Sequence, residues 1–425
     1  MQESFLHFVW QYQHYDTQGL QTTNGGVVDV FATGHHNTEG GPDFLQSKLK
    51  IDGIQWFGSV EIHVNSSDWE HHQHHKDPKY NTVILHVVWH DDRECRREDG
   101  EVLPVLELKS RVSESFVSRY KNLINQPAEI PCQSQLDQVR TIDKVSMCDQ
   151  VGVERLRRKS KEILERLEQN KGSWEDTAYQ TIAQNFGFKK NAESMLKLSN
   201  VLTHKILLKH LHNIVDIEAL VYGVAGFLEG DIEDGYHQRL ADRYQYLSQK
   251  YNLKGRGMLR VEWEFLRMRP WNFPTIRLAQ LASFFTDNAK FFDRILNHES
   301  ITELKKMFVH PPSEYWQSHY DFDKESARKF GGLGSGSLEV MLINSVAPIL
   351  AAYSQHVRQE SYMDRAVQLL QSLKPEQNHI LDRWEYLGIR AKSAFDSQAL
   401  IELKNEFCLK KKCLSCKIGI KLISD

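Results

Sequence analysis

Two acidic residues and a histidine on consecutive apparent strands are the strongest candidates for chemistry in this chain. Asp43 opens one strand in the motif GPDF (41–44), and Glu61 and His63 lie in the next, in GSVEIH (58–63). Residues two apart on a strand face the same side, so Glu61 and His63 share a face. Strand-borne carboxylates suit Mg²⁺ or Mn²⁺, and a metal-activated water beside them can attack a phosphodiester. We identify Asp43, Glu61 and His63 as candidate catalytic residues, with Asp43 and Glu61 as metal ligands.

A histidine cluster follows this motif and offers a second kind of metal site. Its members are His71, His72, His74 and His75. If the segment is helical, His71 and His75 share a face at the spacing used in zinc sites. If it is extended, His72 and His74 share a face instead. Either pair can join His63 and Glu61 around Zn²⁺ as in a zinc hydrolase, and we name His72 and His74 as candidate ligands. The alternative is a solvated polar loop.

Three cysteines near the C-terminus have metal-ligand spacing. Cys408, Cys413 and Cys416 form a C-x4-C-x2-C pattern among lysines. Thiolates are stabilised by cations and metals, and a structural zinc or iron–sulfur site needs four ligands as a rule. We take Cys132 as the fourth ligand, with Cys148 and His310 as alternatives. The opposing interpretation is three reduced thiols on a basic tail.

The elements that position the first site are strands joined by short turns. Alternating or continuous apolar patterns predict strands at 27–31, 44–51, 54–64, 82–89 and 102–108. Asp52-Gly53 predicts a two-residue hairpin turn. A strict turn of this kind pairs Asp43 with Ile62 and leaves Asp43 on the face opposite Glu61. The site therefore requires a β-bulge, which we expect at Gly58 or around Pro42-Asp43.

The pattern changes to helical period after about residue 110. A proline-containing connector, QPAEIPCQSQ (126–135), predicts a domain boundary. We expect an α+β protein with a small mixed α/β domain at 1–130, a large all-α domain at 131–400 and a cysteine-containing tail at 401–425. Arg267, Arg269 and Arg277 flank a helix break, where arginines can bind phosphate or carboxylate, and we favour a structural ion-pair cluster. The glycine-rich run 331–337 can form an anion-binding nest, and we favour a flexible loop in which Ser337 caps the next helix.

Length and composition place the chain among soluble globular proteins. It has 425 residues, of which 40% are hydrophobic and 26% charged, and a net charge of −3. This charge argues against a protein that coats DNA through a strongly basic surface. No apolar run approaches the ~20 residues needed to span a bilayer, and the N-terminus lacks the basic start of a signal peptide. We expect a cytoplasmic protein with no membrane partner.

Several motifs carry resemblances to known families. The order of helix, strand, Pro-Asp strand and Glu-x-basic strand over residues 1–110 resembles the PD-(D/E)xK nuclease fold, also called restriction-endonuclease-like. The whole chain resembles a bacterial family of unknown function, DUF2851, through GPDF, GSVEIH, SDW (67–69), YNTVILHVVW (80–89), RPWNFPTIR (269–277) and CLSCKIG (413–419).

The nuclease resemblance implies a function and a departure from it. It implies that Asp43, Glu61 and the carbonyl of Ile62 hold Mg²⁺ for cleavage of DNA or RNA. His63 stands where that fold usually has its catalytic lysine, although Lys48, Lys50 or Lys109 can be considered for the role. The expected function is thus a metal-dependent phosphodiesterase or nuclease, active or degenerate. The alternatives are a zinc hydrolase that uses the histidine cluster, or a non-catalytic nucleic-acid or protein-binding module with a structural metal.

Overall fold

The protein is a mixed α+β molecule, as the sequence predicts. A computed structural model describes residues 1–230, 233–298 and 300–424. The chain forms two compact units, Met1–Met147 with Leu403–Asp425, and Cys148–Glu402. The boundary predicted from the sequence, near residue 130, comes before the observed division at Met147. The chain up to Met147 stays with the first unit because Met147 is fully buried and its sulfur accepts the backbone N–H of Lys417 at 3.2 Å. The tail predicted as a separate segment thus belongs largely to the first unit.

The first unit is organised around a seven-stranded mixed sheet. Its strands are β1 (Leu20–Gln21), β2 (Val27–Ala32), β3 (His35–His36), β4 (Phe44–Ile51), β5 (Ile54–Asn65), β6 (Val83–His90) and β7 (Val105–Glu107). The order is β1-β2-β4-β5-β6-β7, with β3 also pairing β4. β4 and β5 are antiparallel, whereas β5, β6 and β7 run parallel. β6 is an internal strand buried from Val83 to Val88, which agrees with its continuous apolar sequence.

The β4–β5 hairpin contains the bulge that the candidate site requires. Ile51 pairs with Ile54 across the two-residue turn, and the register shifts between Phe44 and Ser47. Gln46, in the shifted segment, has a positive φ of 60°. After the shift Phe44 pairs with Val60, so Asp43 lies at the level of Glu61. The bulge is present, but neither at Gly58 nor at Pro42-Asp43.

Helices from both ends of the chain support the sheet. They are α1 (Glu3–Gln11), α2 (Asp68–His71), α3 (Glu114–Ile124) and α19 (Lys417–Ser424). Phe5 of α1 is fully buried and stacks on Tyr120 of α3 with ring centroids 4.3 Å apart. Arg119 of α3 donates to the carbonyl of Ile423 at 2.8 Å. The apolar face of α19 is also buried. Its burial and the Arg119 hydrogen bond hold the C-terminal segment in the first unit.

The second unit is almost entirely helical. With α4, which spans both units, its helices are α4 (Thr141–Gln169), α5 (Trp174–Phe186), α6 (Ala192–Val201), α7 (His204–Leu207), α8 (Ile214–Val224), α9 (Gly235–Lys250), α10 (Pro274–Asp287), α11 (Phe291–Asn297), α12 (Ile301–Lys306), α13 (Glu314–Ser318), α14 (Ser335–Met341), α15 (Ala347–Val357), α16 (Glu360–Ser372), α17 (His379–Tyr386) and α18 (Ala394–Glu402). A small hairpin, β8 (His319–Asp321) and β9 (Lys324–Glu325), interrupts them. One large apolar core joins these helices. Ser173 caps α5, accepting the N–H of Asp176 at 3.3 Å.

One helix has the length and apolar composition of a membrane span. The helix Ser335–Val357 comprises α14, a π-helical turn and α15, and 67% of its most apolar window is buried inside the protein. Its sequence is not a continuous apolar run, because Glu339 and Asn344 interrupt it. Its burial is typical of the core helix of a soluble protein.

Candidate metal centre

Asp43 and Glu61 face each other across the bulged hairpin. The backbone N–H of Asp43 donates to Glu61 Oε2 at 3.1 Å, and the N–H of Ile62 donates to Asp43 Oδ2 at 2.9 Å. Each carboxylate thus accepts a hydrogen bond from the opposite strand. This reciprocal pair fixes both side chains on a rigid backbone, which is the condition for presenting two carboxylates to one cation. The bulge makes the pair possible, since without it the two residues would lie on opposite faces.

Three histidines gather beside the other oxygen of Glu61. The ligand atoms of His63, His72 and His74 all lie within 4.8 Å of one another. His63 Nε2 is 3.1 Å from His72 Nδ1 and 3.6 Å from Glu61 Oε1. His74 Nε2 is 3.3 Å from the same Glu61 oxygen. The structure therefore brings together His72 and His74, the pair expected for an extended segment, although the segment itself is a broken helix with Gln73 at φ 61°.

Three of the separations among these atoms suit a tetrahedral metal ion. Zinc bonds to nitrogen and oxygen of about 2.0–2.1 Å place tetrahedral ligand atoms about 3.3 Å apart. The separations of 3.1, 3.3 and 3.6 Å bracket that value. His63 is buried, His74 is partly buried and His72 is exposed, so the group is reached from solvent on the His72 side. The donor set, three imidazoles and a carboxylate, is one that zinc and related transition metals prefer.

A buried second layer orients the histidines. His63 Nδ1 lies 2.9 Å from Nε2 of His86, a fully buried residue of β6. If His63 directs its Nε2 lone pair at a metal, Nδ1 carries the hydrogen and donates it to His86. His74 stacks on Tyr80 with centroids 3.8 Å apart. Trp69 packs edge-on against His74 and donates its indole N–H to the carbonyl of Arg96 at 2.9 Å. These contacts hold the rings of His63 and His74 in place and leave the Nε2 atom of each directed toward Glu61.

The first helix contributes two residues that sequence reasoning missed. His7 Nε2 lies 3.3 Å from Asp43 Oδ2, and Glu3 Oε1 lies 4.0 Å from His63 Nε2. Glu3 and His7 are four residues apart and therefore occupy one face of α1. That spacing was visible in the sequence. His86 was also missed, although a histidine inside an otherwise apolar strand indicates a buried polar contact.

Burial controls the protonation of the site. Burial, followed by the neighbouring histidines, lowers the pKa of His63 to about 2, and burial lowers the pKa of His86 to about 3. The 3.6 Å contact between His63 and Glu61 is therefore not an ion pair near neutral pH. Burial and the charge of Asp43 raise the pKa of Glu61. Burial opposes protonation of His7, but its hydrogen bond to Asp43 and the charges of Asp43 and Glu3 raise the pKa of His7.

This protonation pattern fits a bound cation. Metal ligation requires neutral imidazoles, and His63 and His86 are held neutral. A divalent cation beside Glu61 favours its ionised form and so removes the cost of burying that carboxylate.

The remaining polar candidates of this region lie outside the group. His71 is exposed and approaches Asp68 at 3.4 Å. His75 keeps a buried Nδ1 without a hydrogen-bond partner. Lys48, considered above as a substitute for the missing lysine, lies over the ring of Phe57 at 5.2 Å.

Four of the cysteines named from the sequence belong to the first unit. Cys132 precedes a 3₁₀ turn (Gln133–Gln138), Cys408 ends a π-helical segment, and Cys413 and Cys416 bracket the turn before α19. All four are free thiols, each 8% exposed. The backbone N–H groups of Ile418 and Gly419 donate to the sulfur of Cys416. Gly419 leaves no room for a side chain, because a Cβ there would lie 2.3 Å from the carbonyl oxygen of Cys413.

The four thiols influence one another electrostatically. Burial, followed by the charges of Cys416 and Cys413, raises the pKa of Cys132 to about 12. Burial, followed by Cys132 and Cys416, raises the pKa of Cys408 above its usual range. Cys132 therefore lies near the tail cysteines, whereas the alternatives Cys148 and His310 belong to the second unit. Thiolates are stable in such a place only beside a cation.

A family model decides the relationship of the chain to known proteins. The model for DUF2851, described as a protein of unknown function, matches residues 3–379. The chain belongs to the DUF2851 family. No curated protein and no solved structure matches it. The matched range contains Glu61 and the three clustered histidines, and it ends before the tail cysteines.

Proposed function

We propose that this DUF2851 protein is a metal-dependent hydrolase with phosphodiesters as its substrate class. The observation that supports this most directly is the cluster of His63, His72 and His74, with Glu61 in contact with His63 and His74. These four residues would hold the ion, with zinc as the best match to three imidazoles. When bound, such an ion lowers the pKa of a water ligand and polarises the substrate oxygen.

The chain's own groups supply the rest of the site. His86 fixes the tautomer and the orientation of His63 through their 2.9 Å contact. The side chain of Asp43 is 21% exposed and lies next to Glu61, so it can accept a proton from an attacking water. Glu3, 44% exposed, lies at the open side of the group and adds a second acceptor. DNA and RNA are the natural phosphodiester candidates, and we propose nucleic acid as the partner.

A second candidate is the Mg²⁺- or Mn²⁺-dependent nuclease implied by the PD-(D/E)xK resemblance. The bulge that places Asp43 opposite Glu61 favours it, because two strand carboxylates and the carbonyl of Ile62 are a suitable oxygen set. His63 does not replace the missing lysine as a cation, since its pKa is lowered to about 2. A nuclease of this kind would therefore have to cleave its substrate without the positive charge that the lysine usually supplies.

One set of variants separates these candidates. Metal content is measured on the purified protein, followed by cleavage of a nitrophenyl phosphodiester and of single- and double-stranded DNA and RNA with Zn²⁺, Mn²⁺ or Mg²⁺. We expect one equivalent of zinc beyond any metal at the cysteines, lost in His72→Ala and kept in His71→Ala, a matched control because His71 is exposed nearby. Asp43→Asn should retain zinc and lose cleavage.

Other outcomes assign the function differently. Mg²⁺- or Mn²⁺-dependent cleavage that is lost in Asp43→Asn and unaffected in His72→Ala would establish the second candidate. Nucleic-acid binding without cleavage under any ion would leave a binding module. Absence of both metal and cleavage would contradict the hydrolase proposal.

We also propose a structural metal, zinc or an iron–sulfur cluster, at Cys132, Cys408, Cys413 and Cys416. The supporting observation is the burial of four neighbouring thiols with backbone N–H groups directed at Cys416. Thiolate ligands need a reducing compartment, which is consistent with the cytoplasmic location we propose. We expect metal that survives His72→Ala and is lost, together with stability, in Cys416→Ser but not in the control Cys148→Ser. Visible absorption distinguishes a cluster from zinc, and unchanged metal content in Cys416→Ser would reject the site.

A further inference from the structure

Arg277 in the second unit is a buried cation whose hydrogen-bond partners are all neutral. Its side chain is 6% exposed and lies in the first turn of α10. It donates to Gln280 Oε1 at 2.9 Å, to Asn272 Oδ1 at 2.6 Å and to Ser337 Oγ at 3.3 Å. Its Nε has no hydrogen-bond partner. A buried charge is costly unless an opposite charge balances it, and none of the described residues supplies such a charge to Arg277.

The contrast with Arg155 shows that this is unusual within the unit. Arg155 is equally buried at 6%, but the charges of Glu402 and Glu376 act on it. For Arg277 only burial acts, and it lowers the pKa of Arg277 to about 10. The sequence-based interpretation of Arg277 as part of a structural ion-pair cluster is therefore wrong. The Phe188 ring lies beneath the guanidinium, with its centroid 4.3 Å from the guanidinium carbon, and this cation–π contact offsets part of the cost of burial.

Two adjoining clefts open onto Arg277. They measure about 570 and 600 Å³ and share the wall formed by Trp271, Asn272, Arg277, Gly336 and Ser337. Each lies within the range of ligand pockets, roughly 300–1,000 Å³. Six further cations line one cleft or the other: Lys189, Lys190, Arg267, Arg269, Arg328 and Lys329. No Asp or Glu is among the described residues that line either cleft.

The glycine-rich run completes this wall. The helix that continues to Val357 begins at Ser335 after Gly334, so Ser337 is not its cap as the sequence suggested. Added Cβ atoms at Gly334 and Gly336 would meet nothing within 4 Å, so open space lies beside the backbone there. Exposed backbone N–H groups at the start of a helix favour an anion. They lie next to Ser337, whose hydroxyl contacts Arg277.

We infer that these clefts bind a phosphate group, with Arg277 as the central ligand and the surrounding lysines and arginines neutralising the remaining charge. The concentration of seven cations, with no acid among the described lining residues, favours a multiply charged oxyanion over a single carboxylate. This site is separate from the proposed hydrolase function, since all its residues belong to the second unit. The source of the phosphate, a small phosphate ester or a nucleic-acid backbone, is left to the experiment.

The test uses the full chain and inorganic phosphate, pyrophosphate and a single-stranded oligonucleotide as probes. Binding is followed by tryptophan fluorescence, with Trp271→Phe to assign the response, and by calorimetry at an ionic strength fixed with chloride. Arg277→Met should weaken phosphate binding about tenfold to a hundredfold, the effect of removing hydrogen bonds to a charged group. Without phosphate it should unfold at the same or a higher temperature, because an unbalanced buried charge is removed. A purely structural Arg277 predicts the opposite stability change.

Arg256→Gln, an exposed arginine that lines neither cleft, should bind like the wild type. If Arg277→Met fails to fold, the double variant Arg269→Ala, Arg328→Ala changes only exposed side chains and should also weaken binding. Binding of pyrophosphate but not oligonucleotide identifies a small phosphate ester, whereas salt-dependent oligonucleotide binding identifies a polymer backbone. Phosphate binding no stronger than chloride or citrate binding, or undiminished in both variants, would overturn the inference.

Discussion

The metal-free protein should lose stability as the pH falls from 6 to 5, and Glu61 should limit that loss. His63 and His86 stay neutral when folded because burial lowers the pKa of His63 to about 2 and that of His86 to about 3. In the unfolded chain both imidazoles take up protons below about pH 6.5. The unfolded state then binds more protons, so stability decreases as the pH falls. Glu61 has the opposite sign, because burial raises its pKa and it is protonated when folded but ionised when unfolded.

The magnitudes follow from proton linkage. Between pH 6 and 5, each histidine lowers the free energy of unfolding by about 1.2 kcal/mol, and Glu61 offsets about 1.2 kcal/mol. The wild type should therefore lose about 1 kcal/mol. Glu61→Gln removes the offset, so its loss should increase to about 2.4 kcal/mol. The difference between the two proteins is the tested quantity, since titrating groups distant from Glu61 contribute equally to both.

Hydrogen exchange measured by mass spectrometry on peptides from β5 and β6, with a chelator present and intrinsic rates corrected, reports this local free energy. Glu107→Gln is the matched control, because Glu107 interacts with His90, which is 53% exposed, and should reproduce the wild-type pH dependence. If Glu61→Gln lost no more stability than the wild type, the assignment of opposite proton uptake to Glu61 and the histidines would be refuted.

Three further predictions address the bulge, the close packing at Gly58 and the second layer. Deleting Gln46 should return Asp43 to the opposite face and abolish metal-dependent cleavage, whereas Gln46→Gly should retain it; an active deletion variant would refute the role of the bulge. Gly58→Ala should lower the free energy of unfolding by about 1–3 kcal/mol, because its Cβ would lie 2.6 Å from the carbonyl oxygen of Thr82; denaturation that matches the wild type would contradict this. His86→Phe should weaken zinc binding about 10- to 100-fold in a chelator competition, and unchanged affinity would remove it from the second layer.

Some features follow from local sequence alone. The strand patterns and the two-residue turn at Asp52-Gly53 depend on neighbouring residues, and the predicted 44–51 strand agrees with β4. Because successive side chains of a strand point to opposite faces, the pairing across the turn showed that Asp43 and Glu61 can share a face only if a bulge intervenes. Its position between Phe44 and Ser47 did not follow, because Gln46 adopts a left-handed conformation with no glycine to indicate it.

Other features were decided only by tertiary packing. The sequence supplied separate groups: acids on strands, histidines in a loop, cysteines at a tail, arginines at a helix break and a glycine-rich run. Packing placed His86 behind His63 and brought Cys132 near the tail. It also buried Arg277 beside Ser337, sixty residues away in the chain, without a carboxylate. Such contacts join segments distant in sequence, and the pairing of distant segments is set by how helices and strands bury their apolar faces, which local pattern does not encode.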